Sequence, residues 1–152
     1  MKAFIRFLAA TLAALVCTAS FAAEHGSPDQ AKAMLVKAVA YVKANGKDKS
    51  LATFNDKQGG FVDGDIYVTV TDLSGKTLAH PVNPRLVGKD NINLQDADGK
   101  FFYKERMEMA KSKGHGEQEY KVLNPVTKDV ENKIAFFEKV GDIVIACGSF
   151  KP

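Results

Sequence analysis

Between Ser27 and Gly46 the apolar residues Ala31, Met34, Leu35, Ala38, Val39 and Val42 recur at three- and four-residue steps. That spacing predicts a helix with one apolar stripe and an otherwise polar surface. Its ends are marked. Ser27 is a good N-cap, Pro28 suits the first helical position, Gln30 completes a capping box, and Asn45-Gly46 is a natural stop. A helix greasy on one side only must lie on another layer, and the rest of the chain supplies it. "DIYVTVTDLSGKTLAH" reads as a hairpin, with strands at Ile66–Thr71 and Thr77–His80 around a "DLSG" turn. Three further strands are expected at Glu117–Leu123, Asn132–Lys139 and Asp142–Phe150, with "NPVT" and "GD" between them. A short helix at Lys49–Phe54 precedes the Gly59-Gly60 break. An irregular segment from Pro81 to about Asp98 leads into a second amphipathic helix, "DGKFFYKERMEMAKSKG", stopped at Gly114. The expected class is α+β: an antiparallel sheet of about five strands, the long helix on one face, loop and helix on the other. An irregular cover over a sheet is a common place for a small-ligand site.

The first 22 residues stand apart. "MKAFIRFLAATLAALVCTASFA" has a basic start, a short apolar core from Phe7 to Val16, and Ser20 and Ala22 in a small-x-small exit. This is the pattern of a cleaved secretory signal, with Ala23 as the expected mature N-terminus and a periplasmic destination. The apolar core is shorter than the roughly 20 residues a spanning helix needs, and no later segment approaches that length, so no membrane span is expected in the mature protein. Val16 beside Cys17 makes a poor lipidation site. Loss of the signal removes Lys2 and Arg6, taking the formal charge from +3 to +1. A near-neutral chain of scattered charges excludes an electrostatic nucleic-acid reader. It also leaves Cys147 as the one cysteine, so no internal disulfide can form.

Four stretches carry a family resemblance: "FNDKQGGFVDGDIYVTVTDLSGKTLAHPVNPRLVGKD", "DADGKFFYKERMEMAKSKG", "YKVLNPVTK" and "CGSF". Together they resemble a single Cache domain from about Ala31 to the C-terminus, so residues 23–152 are expected to form one such domain. The D-x-x-G-x-x-L-A-H-P pattern followed by L-V-G-K is its most specific part. The resemblance implies a PAS-like fold and a pocket for small metabolites, often carboxylates or amino acids, between sheet and loop cover. It implies a sensor that signals through a separate partner, such as a membrane kinase or chemoreceptor, because no output module accompanies the domain. Relatives often carry aromatics at the positions of Glu117 and Val122 and a tyrosine at Phe136, so the rings available to shape the pocket differ here.

Among candidate site residues, His80 comes first. The resemblance places its ring at a strand end facing the pocket, where it could donate to a carboxylate, best when protonated; the alternative is a structural histidine bonding the Pro81 loop. Arg106 shares a helix face with Phe102, Met109 and Ala110. The favoured reading is a stem that packs while the head reaches water; the alternative is a guanidinium gripping a carboxylate. Arg85 is expected to be exposed. Tyr67 and Thr69 share one face of the first hairpin strand, and Tyr120 and Val122 one face of the third strand, as pocket or as core. Lys133 follows a family pattern of a lysine three residues before an aromatic, and could neutralise an acid or cap a loop. Phe136 completes the candidate set. Cys147, inside "IVIACGSF", reads as a small buried hydrophobe rather than a nucleophile. His25, His80 and His115 lack zinc spacing, and "NINLQDADG" lacks the glycine offset and final glutamate of a calcium loop. No cofactor or catalytic group is called for. A binding module leads, a structural protein with a closed pocket is the alternative, and an enzyme is disfavoured.

Overall fold

The structure is a computed structural model that describes residues 25–151. The expected signal sequence, its cleavage point and Cys17 lie outside the described residues. Helix α1 runs Pro28–Asn45, α2 Lys47–Asn55, and α3 Phe102–Lys113. The strands are β1 Val62–Asp63, β2 Ile66–Asp72, β3 Thr77–Ala79, β4 His115–Leu123, β5 Val130–Val140 and β6 Ile143–Phe150. All pairings are antiparallel, in the order β1-β2-β6-β5-β4, with β3 also on β2. The chain is α+β, with its N-terminal helix packed on the sheet.

Local chemistry explains the elements. The Ser27 hydroxyl accepts from the Gln30 N–H while the Gln30 side chain accepts from the Ser27 N–H, closing the capping box. Gly46 ends α1 at φ 79°, a left-handed geometry that a side chain resists, and its N–H donates to Val42 O. The Gly46 carbonyl accepts from Ser50, which starts α2 at Lys47, two residues before the expected boundary. The sheet has six strands rather than about five. The extra one, β1, is only two residues long and carries no alternation to read.

The two faces of the sheet have different tasks. Val68 and Val70 of β2, Phe136 of β5, and Ile143, Ile145 and Cys147 of β6 point toward α1 and join Ala31, Leu35, Ala38, Val39 and Val42 in the main core. Large side chains pack this face beneath α1. The other face is full only at one end, where Phe137, Val144 and Ala146 meet Met107 and Ala110 of α3. Between α3 and β3 the loop is drawn down onto the sheet edge. The buried Asn91 donates to Thr77 Oγ1 and the Leu86 carbonyl, and Asn91 N–H donates to Gly75 O. Asp96 accepts from the N–H groups of Asp98, Lys100 and Lys121. The sequence that glances at a calcium loop is therefore a self-bonded turn fastened to β4.

Candidate functional site

Side-chain size opens a cavity on the second face. In register, Gly148 of β6 lies between Tyr67 of β2 and Ala135 of β5, and Ala146 lies between Thr69 and Phe137. Two alanines and a glycine in mid-sheet leave a hollow where the opposite face has Val, Ile and Phe. The cavity has a volume of about 450 Å³, within the range of small-molecule sites. Gly148 is required for a second reason: a Cβ there would come within 2.5 Å of Ile134 O and 3.0 Å of Lys133 Cε.

Arg106 enters from α3. It is 2% exposed, and its guanidinium carbon stands 5.3–5.9 Å from the ring centres of Phe102, Tyr103 and Tyr120. The expected snorkelling head is thus overturned. The helix face that bears Arg106 turns toward the sheet, and surrounding rings hold the cation inside. Its Nε donates to Gln118 Oε1 at 3.3 Å, while Gln118 Nε2 donates to Phe102 O and Glu105 Oε2. Gln118 is therefore clamped from both ends and aligns the guanidinium. Nη2 of Arg106 is buried without a hydrogen-bond partner, a costly state that an incoming acceptor would relieve.

Lys133 lies on β5 opposite Tyr120 in register. Its ammonium sits 3.8 Å from the centre of the Tyr67 ring and 4.5 Å from that of Phe150. It is 3% exposed. Burial pulls its pKa down to about 7, with Arg106 adding to the fall and Cys147 and Asp65 opposing it. Among the described residues, neither Arg106 nor Lys133 is in an ion pair with a carboxylate.

His80 follows β3 directly. Its N–H donates to Asn55 Oδ1, and its ring Nδ1 accepts from the Asn83 N–H at 3.1 Å. The ring bonds its own loop, as the structural alternative has it, and it also lines the cavity. The bond to Nδ1 fixes the tautomer, leaving the proton on Nε2. Burial first, then the positive charges of Lys133 and Arg106, lower its pKa to about 4. The expected imidazolium is therefore corrected to a neutral donor at pH 7.

Tyr67, Thr69, Tyr120 and Val122 also line the cavity. Phe136 does not. Strand alternation turns it to the α1 face, where it is buried in the main core with Lys32 over its ring. Its neighbours Ala135 and Phe137 are the ones that face α3. Arg85 is exposed as expected. Sequence reading missed Gln118, Ala135, Ala146 and Gly148. Gln118 was accessible, since it precedes Tyr120 by two and shares its face. The small residues carried no signal until the strand register was known. Cys147 is buried and its thiol is pushed up to about 12 by burial, in keeping with a core residue.

A helix-backed antiparallel sheet with a cation-lined cavity on its other face defines a PAS-like ligand-binding domain. The chain belongs to the single Cache domain family, matching single Cache domain 2 over residues 29–150. Domains of this family are extracytoplasmic ligand-binding sensors. Three solved structures share the fold. A methyl-accepting chemotaxis protein from Vibrio parahaemolyticus is 18% identical over 80% of this chain and 86% of its own, at TM-score 0.69. A periplasmic sensor domain of a chemotaxis protein is 22% identical over 82% and 90%, at TM-score 0.63. A Cache chemosensory domain described for its carboxylic acid recognition is 21% identical over 82% and 88%, also at 0.63. Among the described residues no helix is long and apolar enough to cross a membrane.

Proposed function

We propose that this chain is a periplasmic sensor domain that binds a small organic acid and acts through a separate membrane kinase or chemoreceptor. The observation that carries the reading is Arg106: a buried cation beside the cavity, aligned by Gln118, with an unsatisfied N–H pair and no carboxylate partner. Lys133 supplies a second cation, and His80 a neutral N–H. An open cavity of this volume favours a binding module over a structural protein whose pocket has closed. Support for the acid also comes from the Cache domain described for carboxylic acid recognition, whose fold this chain shares. The distant export signal supports the periplasm. Intact mass of exported protein should correspond to a chain starting at Ala23; a retained leader or a lipid on Cys17 would end that part of the reading.

Calorimetry with a panel of carboxylates and their neutral amides tests the ligand class. Acids should bind and the matching amides should not. A hydrogen bond to a charged group contributes about 1.5–3 kcal/mol, so Arg106→Met should weaken acid binding by roughly 10- to 150-fold. Methionine suits the aromatic cage, and replacing an unpaired buried charge with an apolar side chain of similar length should preserve the fold. Acids and amides binding alike, or wild type and variant binding alike, would remove the anion-anchor role.

A further inference from the structure

The cavity is lined by polar groups at one end of β4 and mainly by apolar groups at the other. Gln118, which aligns Arg106, is near the polar end. Two residues on, Tyr120 stands beside Lys133 in register. Two further on is Val122, on the same strand face, and the wall then continues through Leu123 and Pro125. At about 3.4 Å per residue, Val122 lies roughly 14 Å along the strand from Gln118. The loop cover adds Val82, Leu86 and Leu94 with Asn83 among them, and Lys128 borders the Pro125 end, where its ammonium donates to Pro125 O. Leu94 is 39% and Leu123 58% exposed, although both border the cavity. Large apolar side chains are thus left facing water beside an enclosed cationic end.

Size points the same way. At about 30 Å³ per water, the cavity has room for roughly fifteen waters. A two- or three-carbon acid gripped by Arg106 would fill only a fraction of it and leave the Val122 wall wet. We propose that the acid recognised here carries an apolar body, aliphatic or aromatic, of about six to twelve heavy atoms, lying along β4 from Arg106 toward Val122 and Pro125. This rests on the reading that Arg106 anchors a carboxylate, and it adds the class of acid.

Calorimetry on the protein with acetate, hexanoate and benzoate as probes tests it. Each methylene brought out of water contributes about a fourfold factor, so hexanoate or benzoate should bind at least about 30-fold more tightly than acetate. Val122→Trp, which fills the apolar end, should reduce the hexanoate-to-acetate affinity ratio at least tenfold. Acetate binding as tightly as both larger acids would overturn the inference and leave the acid-sensor reading intact. An unchanged ratio in Val122→Trp would also overturn it. Failure of all three acids to bind would overturn the acid-sensor reading and this inference with it.

Discussion

Lys133→Met is expected to melt well above the wild type at pH 7, with the gap narrowing toward pH 9. In the unfolded chain a lysine titrates near 10.5, whereas in the folded protein burial brings Lys133 down to about 7. The unfolded state therefore binds more protons between these values, so wild-type stability must rise with pH across that window. Each pH unit of depression costs about 1.4 kcal/mol, which puts the penalty at pH 7 at roughly 5 kcal/mol as an upper figure. The net gain from methionine should lie below that figure, and it should shrink by about 2–3 kcal/mol by pH 9.

Neighbouring groups leave the span from pH 7 to pH 9 clear, since Tyr67, raised by burial, acts only above its ordinary 10. His80, lowered to about 4, affects stability between that value and its ordinary 6.5. Cys147, raised to about 12, costs stability only above its ordinary 9. Thermal melts of both proteins at pH 7 and pH 9 decide the matter. A variant that melts below wild type at pH 7, or a gap that does not change with pH, would show that Lys133 is well accommodated as an ammonium. The expected gain has a functional corollary: a cation kept where it destabilises the fold is what an anion site requires. For the same reason, acid affinity should fall as pH rises past the lysine's bound-state pKa.

How much of this was legible in the chain depends on where each signal resides. The α1 stripe, its capping box, the Gly46 and Gly114 stops and the β-branched run of β2 are local, so they read directly. That Tyr67 and Thr69 share a face follows from period-two alternation alone, but that the face is the cavity's does not. Phe136 was misplaced because a motif position says nothing about which face a strand residue occupies, whereas its register opposite Cys147 does. Arg106 was misjudged because helical spacing gives the face but not the depth of the groove beneath it. The hollow itself depends on Ala135, Ala146 and Gly148 becoming neighbours across two strands, a relation of register that no single segment contains. The charge state of His80 depended first on its burial and then on two cations, one from α3 and one from β5, that lie far from it in sequence.

Phe54→Ala should cause the largest loss of stability. Phe54 is fully buried, and it is the single apolar side chain that α2 buries completely. Its ring meets Phe61 edge-on at 4.6 Å and Tyr41 at 6.0 Å, joining α2 to α1 and to the segment entering β1. Truncating such a phenylalanine costs about 3–5 kcal/mol, which for a domain of this size lowers the melting temperature by on the order of 10–20 °C. The loss should fall on the whole domain. Asn55, the next residue, donates to Leu78 O and accepts from the His80 N–H, so α2 is fastened to β3 and to the cavity rim as well as to the core. One cooperative denaturant transition with an unchanged slope is therefore expected, shifted to lower midpoint. A loss below about 1 kcal/mol, or an early separate transition, would instead mean that α2 is a detachable cover and that His80 is held by its own loop alone.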